Sequence, residues 1–275
     1  MINKKSSEEV ILIVADYENP TSKEMKIANN IHSSILEDPA IIMRVIRMYS
    51  ETGIAINKET KLEIFKNKDK LKLVSCEDIH ENLKGIILGE FALKVMNEYR
   101  DIISVIIPEI EVMFNYEELT PGNILYLWTH SLIVMDNANS EKYPFEFKLA
   151  GLLHDIGKPN TFQMNKLKQQ ADYPGHEEES AKIAEEILRR LEFPKKEIAK
   201  IAELIRNHGL EISEDPYEIE KSISEIGLER FMDIIDFQIA NKYEKNTYEI
   251  LGDKRVDKLK KIKGVCNSLK KSRNP

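Results

Sequence analysis

The run Leu152-Leu-His-Asp-Ile-Gly-Lys158 constrains this chain more than any other stretch. A histidine and an aspartate stand side by side in what otherwise reads as a buried apolar helix. Burying such a pair without partners is costly, so the fold must bring other polar groups to it. Adjacent residues on a helix project roughly 100° apart, so His154 and Asp155 can approach one centre from two sides. Four of the six histidines lie from residue 130 onward, at His130, His154, His176 and His208, and an acid at Asp236 closes the series. A single histidine on an apolar helix face is more often a hydrogen-bonded structural residue. Spaced by about a helix plus a loop, and with an embedded His-Asp doublet, the set instead reads as ligands for a divalent cation. His130, His154, Asp155 and Asp236 form the expected first shell. His176 and His208 can hold a second metal with Asp155 bridging, or contact a phosphate. Lys158, one turn beyond Asp155, is placed to meet a phosphate oxygen as a point charge. Asp155 and Lys158 are thus the candidate catalytic residues. Asp233 competes with Asp236, which is favoured for its setting beside Ile234, Ile235 and Phe237.

With 42% hydrophobic and 32% charged residues in 275, the chain suits a helix-rich protein with one large or two modest domains. Eleven glycines and ten prolines are few for an all-β fold. Cys76 and Cys266 make no CxxC pair, which argues against a disulfide scaffold or a cysteine-ligated zinc. No apolar run reaches the length of a signal core or a membrane span, so a cytoplasmic setting without membrane partners is expected. A net charge of −7 gives no overall pull toward nucleic acid, but basic residues crowd the segment from Lys254 to Arg273.

Residues 10–16 are the one strand candidate, ending in a turn at Asn19-Pro20-Thr21-Ser22. From about Lys23 the pattern turns helical. Asp38-Pro39 starts a helix that Gly53 ends, and Ser75 caps another with Asp78 at the reciprocal position. Residues 90–115 give further helices, interrupted at Pro108. Thr120-Pro121-Gly122 is the expected boundary between two helical halves. Helices are predicted near 123–138, 145–157, 175–191, 194–209, 218–226 and 228–245, with a frayed basic helix after them. The expected division is an N-terminal segment 1–30, a helical domain 31–119, a metal-binding helical domain 120–250 and a basic tail 251–275.

The order His130, His154-Asp155, Asp236 resembles the H…HD…D signature of the HD-domain metal-dependent phosphohydrolases. Within that superfamily, Leu-Leu-His-Asp-Ile-Gly-Lys-Pro, Gly175-His-Glu-Glu178 and Ile205-Arg-Asn-His208 are similar to the HD domain of some bacterial CCA-adding tRNA nucleotidyltransferases. Glu37-Asp38-Pro39, Arg44-Val-Ile-Arg47 and Gly53-Ile-Ala-Ile56 resemble the neck of those enzymes, and Ser75–Glu81 and Ile107–Ile110 their helical body. The nucleotide-transferring head has no counterpart: about thirty residues precede the neck, without a Gly-Gly, Gly-Ser or Asp-x-Asp motif. The neck motif Glu-Asp-x-x-Arg, moreover, has Ile41 in place of arginine, which removes a planar fork of donors.

The resemblance implies an all-α fold, an HD helical bundle preceded by a smaller neck-like helical domain. It implies a metal-dependent phosphohydrolase for a nucleotide-type phosphomonoester or cyclic phosphodiester, without nucleotidyl transfer. One or two divalent cations are expected, from manganese, iron, nickel, cobalt, zinc or magnesium, with magnesium the least natural on so many imidazoles. The neck and the basic tail carry a rival reading, a tRNA- or RNA-binding module without catalysis. Residues 1–30 are either the remnant of a head or a dimerisation strand.

Overall fold

A computed structural model describes the backbone of residues 11–15, 23–27, 31–120, 123–165, 170–243 and 254–273. Helices dominate, as expected, and the described strands form three antiparallel hairpins. The chain divides into two compact units, Met1–Pro108 and Glu109–Pro275. Thr120-Pro121-Gly122 falls within the second.

In the first unit, strands β1 (Ile11–Ala15) and β2 (Lys23–Ile27) pair so that Ile11 faces Ile27 and Ala15 faces Lys23. The helical reading from Lys23 therefore fails at β2. Its Lys-Glu-Met-Lys-Ile sequence suits either period, and the neighbouring β-branched strand decides between them. The turn expected at 19–22 lies outside the described residues. Six helices follow: α1 (Ile31–Glu37), α2 (Ile41–Thr52), α3 (Lys58–Lys66), α4 (Cys76–Leu88), α5 (Ala92–Glu98) and α6 (Arg100–Ile106). Asp38 accepts from the Ala40 amide at the start of α2, and Gly53, at φ 71°, closes it in the left-handed region. Ser75 caps α4 by accepting from the Asp78 amide. The reciprocal bond differs from the expected box, because Ser75 Oγ donates to the Asp78 carboxylate at 2.6 Å. The core lies between α2 and α4, where Ile42, Val45, Ile46, Leu83, Ile86 and Ile87 are buried.

The second unit holds hairpins β3 (Glu117–Thr120)/β4 (Asn123–Tyr126) and β5 (Gln163–Asn165)/β6 (Gln170–Asp172). Its helices are α7 (Leu127–Asn137), α8 (Pro144–Leu153), α9 (Lys158–Thr161), α10 (His176–Arg190), α11 (Lys195–Asn207), α12 (Pro216–Ile226), α13 (Leu228–Tyr243) and α14 (Lys254–Arg273). The helix expected over 123–138 thus begins only at Leu127. The one expected over 145–157 ends at Leu153. Two local reasons stop it: the Gly157 amide leaves the helical ladder to donate to Ser180 Oγ at 2.9 Å, and Pro159 has no amide to offer. The basic tail is also more than a fraying end. Val256, Leu259, Ile262 and Cys266 are buried, and the last three join Phe231, Ile234 and Ile235 of α13 in one apolar cluster. Each buried aliphatic side chain there contributes roughly 1.5–3 kcal/mol of gross burial, enough to hold a helix of otherwise charged residues in place.

Candidate metal centre

Three helix ends and one helix middle converge on the His-Asp doublet. His154 follows α8 at its C-cap, His208 follows α11 at its C-cap, and His176 is the first residue of α10. His130 lies inside α7. The last carbonyls of a helix lack intrahelical partners, and two of these histidines supply them. His154 Nδ1 lies 2.8 Å from the Gly151 carbonyl, and His208 Nδ1 lies 2.7 Å from that of Ile205. His176 Nδ1 makes the same contact with the Tyr173 carbonyl at 2.7 Å. A carbonyl only accepts, so in all three rings the proton is on Nδ1 and the lone pair on Nε2. The capping contact therefore sets both the tautomer and the direction in which each ring points.

All four Nε2 atoms point at Asp155. Those of His130 and His154 lie 3.0 Å apart, and each is 3.1 Å from Asp155 Oδ2. Those of His176 and His208 lie 3.2 Å apart, at 3.3 and 3.4 Å from Asp155 Oδ1. The structure thus forms two ligand triads sharing one carboxylate. Asp155 Oδ1 is fully buried and has no hydrogen-bond donor, although two imidazoles flank it. With protons on their far nitrogens, those rings face the oxygen with lone pairs, and a cation between them is what such a set lacks. A tetrahedral site with ligands at about 2.0–2.1 Å has edges of about 3.3 Å, and an octahedral one slightly shorter edges. The spacings fit either.

Electrostatics agree. Burial pushes the His154 imidazole down to about 4, against the pull of Asp155, so it is neutral at pH 7. Burial alone would raise Asp155, but the Lys158 ammonium and the polar ring of histidines around it hold it well below the usual carboxylate range. Burial likewise works against a charged His176, yet contact with Asp155 raises it above the ordinary value. Among the five, His176 is the most exposed at 17% of its side chain, so the centre opens on its side.

Lys158 is drawn inward. It is buried, its Nζ 2.7 Å from Asp155 Oδ2 and over the Tyr173 ring. Asp236 is not brought to the histidines. Its carboxylate takes Lys263 at 2.5 Å, and burial raises its pKa despite that lysine. It lines a cleft of about 640 Å³ in which Lys142 pairs with Glu229 and Lys263 with Asp236. Asp233 is likewise paired, with Lys200 at 2.6 Å. α13 is buried on several sides, at Ile234, Ile235, Phe237, Gln238 and Ala240, so apolar neighbours could not single out its inward face. The face toward the histidines carries Phe237, 6.4 Å from the His154 ring between centroids, and Gln238. Gln238 Nε2 donates to the carbonyls of Asn207 and Leu210 on either side of His208. Neither Gln238 nor Ser180 stood out in the sequence. A glutamine among isoleucines, in the register opposite Asp236, was the available signal.

Two glycines set the close approaches. A Cβ on Gly151 would lie 2.9 Å from the Met135 backbone, where α8 crosses α7 and brings His154 to His130. One on Gly157 would lie 2.6 Å from the Ser180 amide, where the His-Asp turn meets α10.

Residues 127–250 match the HD domain.

Similarity to known proteins extends beyond that domain. The chain is 22% identical to a multifunctional CCA protein of Nitrosomonas eutropha over 76% of its own length and 51% of the relative's. It is 24% identical to a CC-adding tRNA nucleotidyltransferase of Thermus thermophilus over 80% of its length and 53% of the relative's. A multifunctional CCA protein of Legionella pneumophila is 24% identical over 70% and 48% respectively. The chain thus spans about half the length of the curated relatives it matches. HD-domain kinship and distant CCA-protein kinship follow, and together with the two triads they support a metal-dependent, hydrolase-type site. Among the described residues no helix is long and apolar enough to cross a membrane.

Proposed function

We propose that this chain is a metal-dependent phosphohydrolase acting on a nucleotide-type phosphomonoester or cyclic phosphodiester. One observation carries the reading: the Nε2 atoms of four imidazoles converge on both oxygens of a single buried carboxylate. His130, His154 and Asp155 would hold one divalent cation, and Asp155, His176 and His208 a second. Such a cation, when bound, acidifies water and polarises a phosphoryl oxygen. Nitrogen-rich donors favour manganese, iron, cobalt, nickel or zinc over magnesium.

The chain's own residues do the rest. Asp155 stays ionised in a dry setting because Lys158 and the histidines surround it. His154 stays neutral and able to ligate because it is fully buried. Backbone carbonyls lock three of the rings, so the donor set is formed in advance and little reorganisation accompanies binding. A substrate enters on the His176 side, where Lys158 and the Tyr173 ring stand next to the open edge. Lys158 already serves Asp155, so its part is to hold that carboxylate in place and to share its charge with an incoming phosphate. The nucleotide character of the substrate rests on CCA-protein kinship. Nucleotidyl transfer is not part of the reading: Arg44 is tied to Asp38, and Arg47 to Glu51 and Glu81, as structural neck residues.

The test is metal analysis of the purified protein, followed by assays on p-nitrophenyl phosphate, nucleoside monophosphates and 2′,3′-cyclic nucleotides. A His154→Ala, Asp155→Ala double variant should lose bound metal and at least about a thousand-fold in rate. Unchanged turnover in that variant would overturn the mechanism.

A further inference from the structure

His208 belongs to two places at once. Its Nε2 faces Asp155 in the centre, and the residue also lines a separate cleft of about 380 Å³. That cleft is lined by the His208–Ile212 segment, by Gln238 and Lys242 of α13, and by Arg255, Lys258 and Leu259 of α14. Among the described residues of its wall Glu211 is the one acid, against three cations. The cations do not sit there by chance of a loose tail. Leu259, next to Lys258, is buried in the cluster that fastens α14 to α13, and Val256, next to Arg255, is buried as well. Helical spacing then places Arg255 and Lys258 together on the rim. The helix carrying them has nine basic residues and a single acid, Asp257.

We propose that this cleft is an anion subsite adjoining the metal centre, which takes a second phosphate of the substrate while the first is at the histidines. The proposal rests on the phosphohydrolase reading of that centre. It narrows the substrate from any nucleotide-type ester to one with at least two phosphate groups joined through a nucleoside. A guanidinium fork matches phosphate oxygens in pairs, and the two ammonium groups add point charges. The cleft at Asp236, with acids and cations in near-equal number, has no such excess of one sign. The shared chemistry, phosphates spaced by a ribose, is met by a nucleoside 3′,5′-bisphosphate and by the 3′ end of an oligoribonucleotide bearing a terminal phosphate.

The experiment compares the full-length protein, metal-loaded, with Arg255→Gln, Lys258→Gln, leaving the buried face of α14 unchanged. Three substrates are used: p-nitrophenyl phosphate, adenosine 3′,5′-bisphosphate and a short 3′-phosphorylated oligoribonucleotide. The expected result is a rise of about ten-fold or more in KM for one or both of the nucleotide substrates, with p-nitrophenyl phosphate within about two-fold. The substrate that responds identifies the source of the second phosphate. A uniform loss on all three, or no change on any, overturns the subsite. Lys258→Met alone serves as the second variant if the double one lowers the melting temperature, and the same selective KM rise is required of it. If the wild type hydrolyses none of the three, the phosphohydrolase reading fails, and the cleft is judged by calorimetric titration with adenosine 3′,5′-bisphosphate. Binding weakened about ten-fold in the double variant then supports the subsite, and absent or equal binding overturns it.

Discussion

Asp155 is the one carboxylate that both ligand triads use, and it is buried with an oxygen that no donor reaches. Asp155→Asn keeps its shape and removes its charge. Bound metal should fall below about a tenth of the wild-type content, since a ligating carboxylate is lost from both sites at once. Asp236→Asn makes the control. Its carboxylate is spent on Lys263, so metal content should hold and stability should change by no more than about 1 kcal/mol. Metal stripped by Asp236→Asn would show that the acid reaches the centre after all. Gln238→Leu acts differently again, leaving the carbonyls beside His208 without their donor. A cost of about 1–3 kcal/mol is expected, together with metal loss confined to the triad that contains His208. Elemental analysis, read beside the melting temperature, separates the three.

The centre also depends on how closely two pairs of elements approach. α8 crosses α7 at Gly151, and the His-Asp turn meets α10 at Gly157. Gly151→Val would drive a branched side chain into the Met135 backbone. The expected destabilisation is about 1–3 kcal/mol or more, with the His130–His154 pair forced apart and activity lost even where the fold survives. Circular dichroism with metal titration tests this, and a Gly151→Val protein with full metal affinity would contradict it. Helices were legible at this scale because their apolar spacing and their ends, Gly53 and Pro108 as stops and Pro194 as a start, are local signals. The cluster around Asp155 was legible because a His-Asp doublet has few uses in an apolar run. Asp236 was misplaced because α13 is buried on several sides, so no apolar stripe marked its inward register. Strands β5 and β6 escaped notice because Gln-Met-Asn and Gln-Ala-Asp carry no β-branched residue, and only hairpin pairing makes them strands. The docking of α14 was hidden by its lysines, which outnumber the four buried residues that fix it.

At the scale of the molecule, the centre links metal, proton and fold within the second unit. A ligand that binds only the folded state adds about 2.7 kcal/mol at a hundred times its dissociation constant, so chelation should lower the melting temperature of the metal-loaded protein and re-addition restore it. The metal-free protein then exposes the proton's part. Burial holds His154 at about 4 in the folded state, against an ordinary value of 6.5. Between those values the unfolded chain binds the proton and the folded one does not, so stability falls as pH drops from 6.5 toward 4. The shift corresponds to something on the order of 3 kcal/mol when complete. His176 works the other way, since its raised pKa favours the folded state at low pH, a contribution lost as pH rises through the folded value. Asp155, held low, adds stability above 3.8 that disappears only below it. The two histidines therefore act in different windows, His176 above 6.5 and His154 between 6.5 and about 4, so the loss of stability below 6.5 belongs to His154. Melting temperatures of metal-free wild type and metal-free His154→Leu, followed from pH 7.5 to 4, isolate that difference. The wild type should lose stability relative to the variant below pH 6.5. Parallel curves would mean that His154 takes up its proton without cost, which a fully buried, lone-pair-lined centre does not allow.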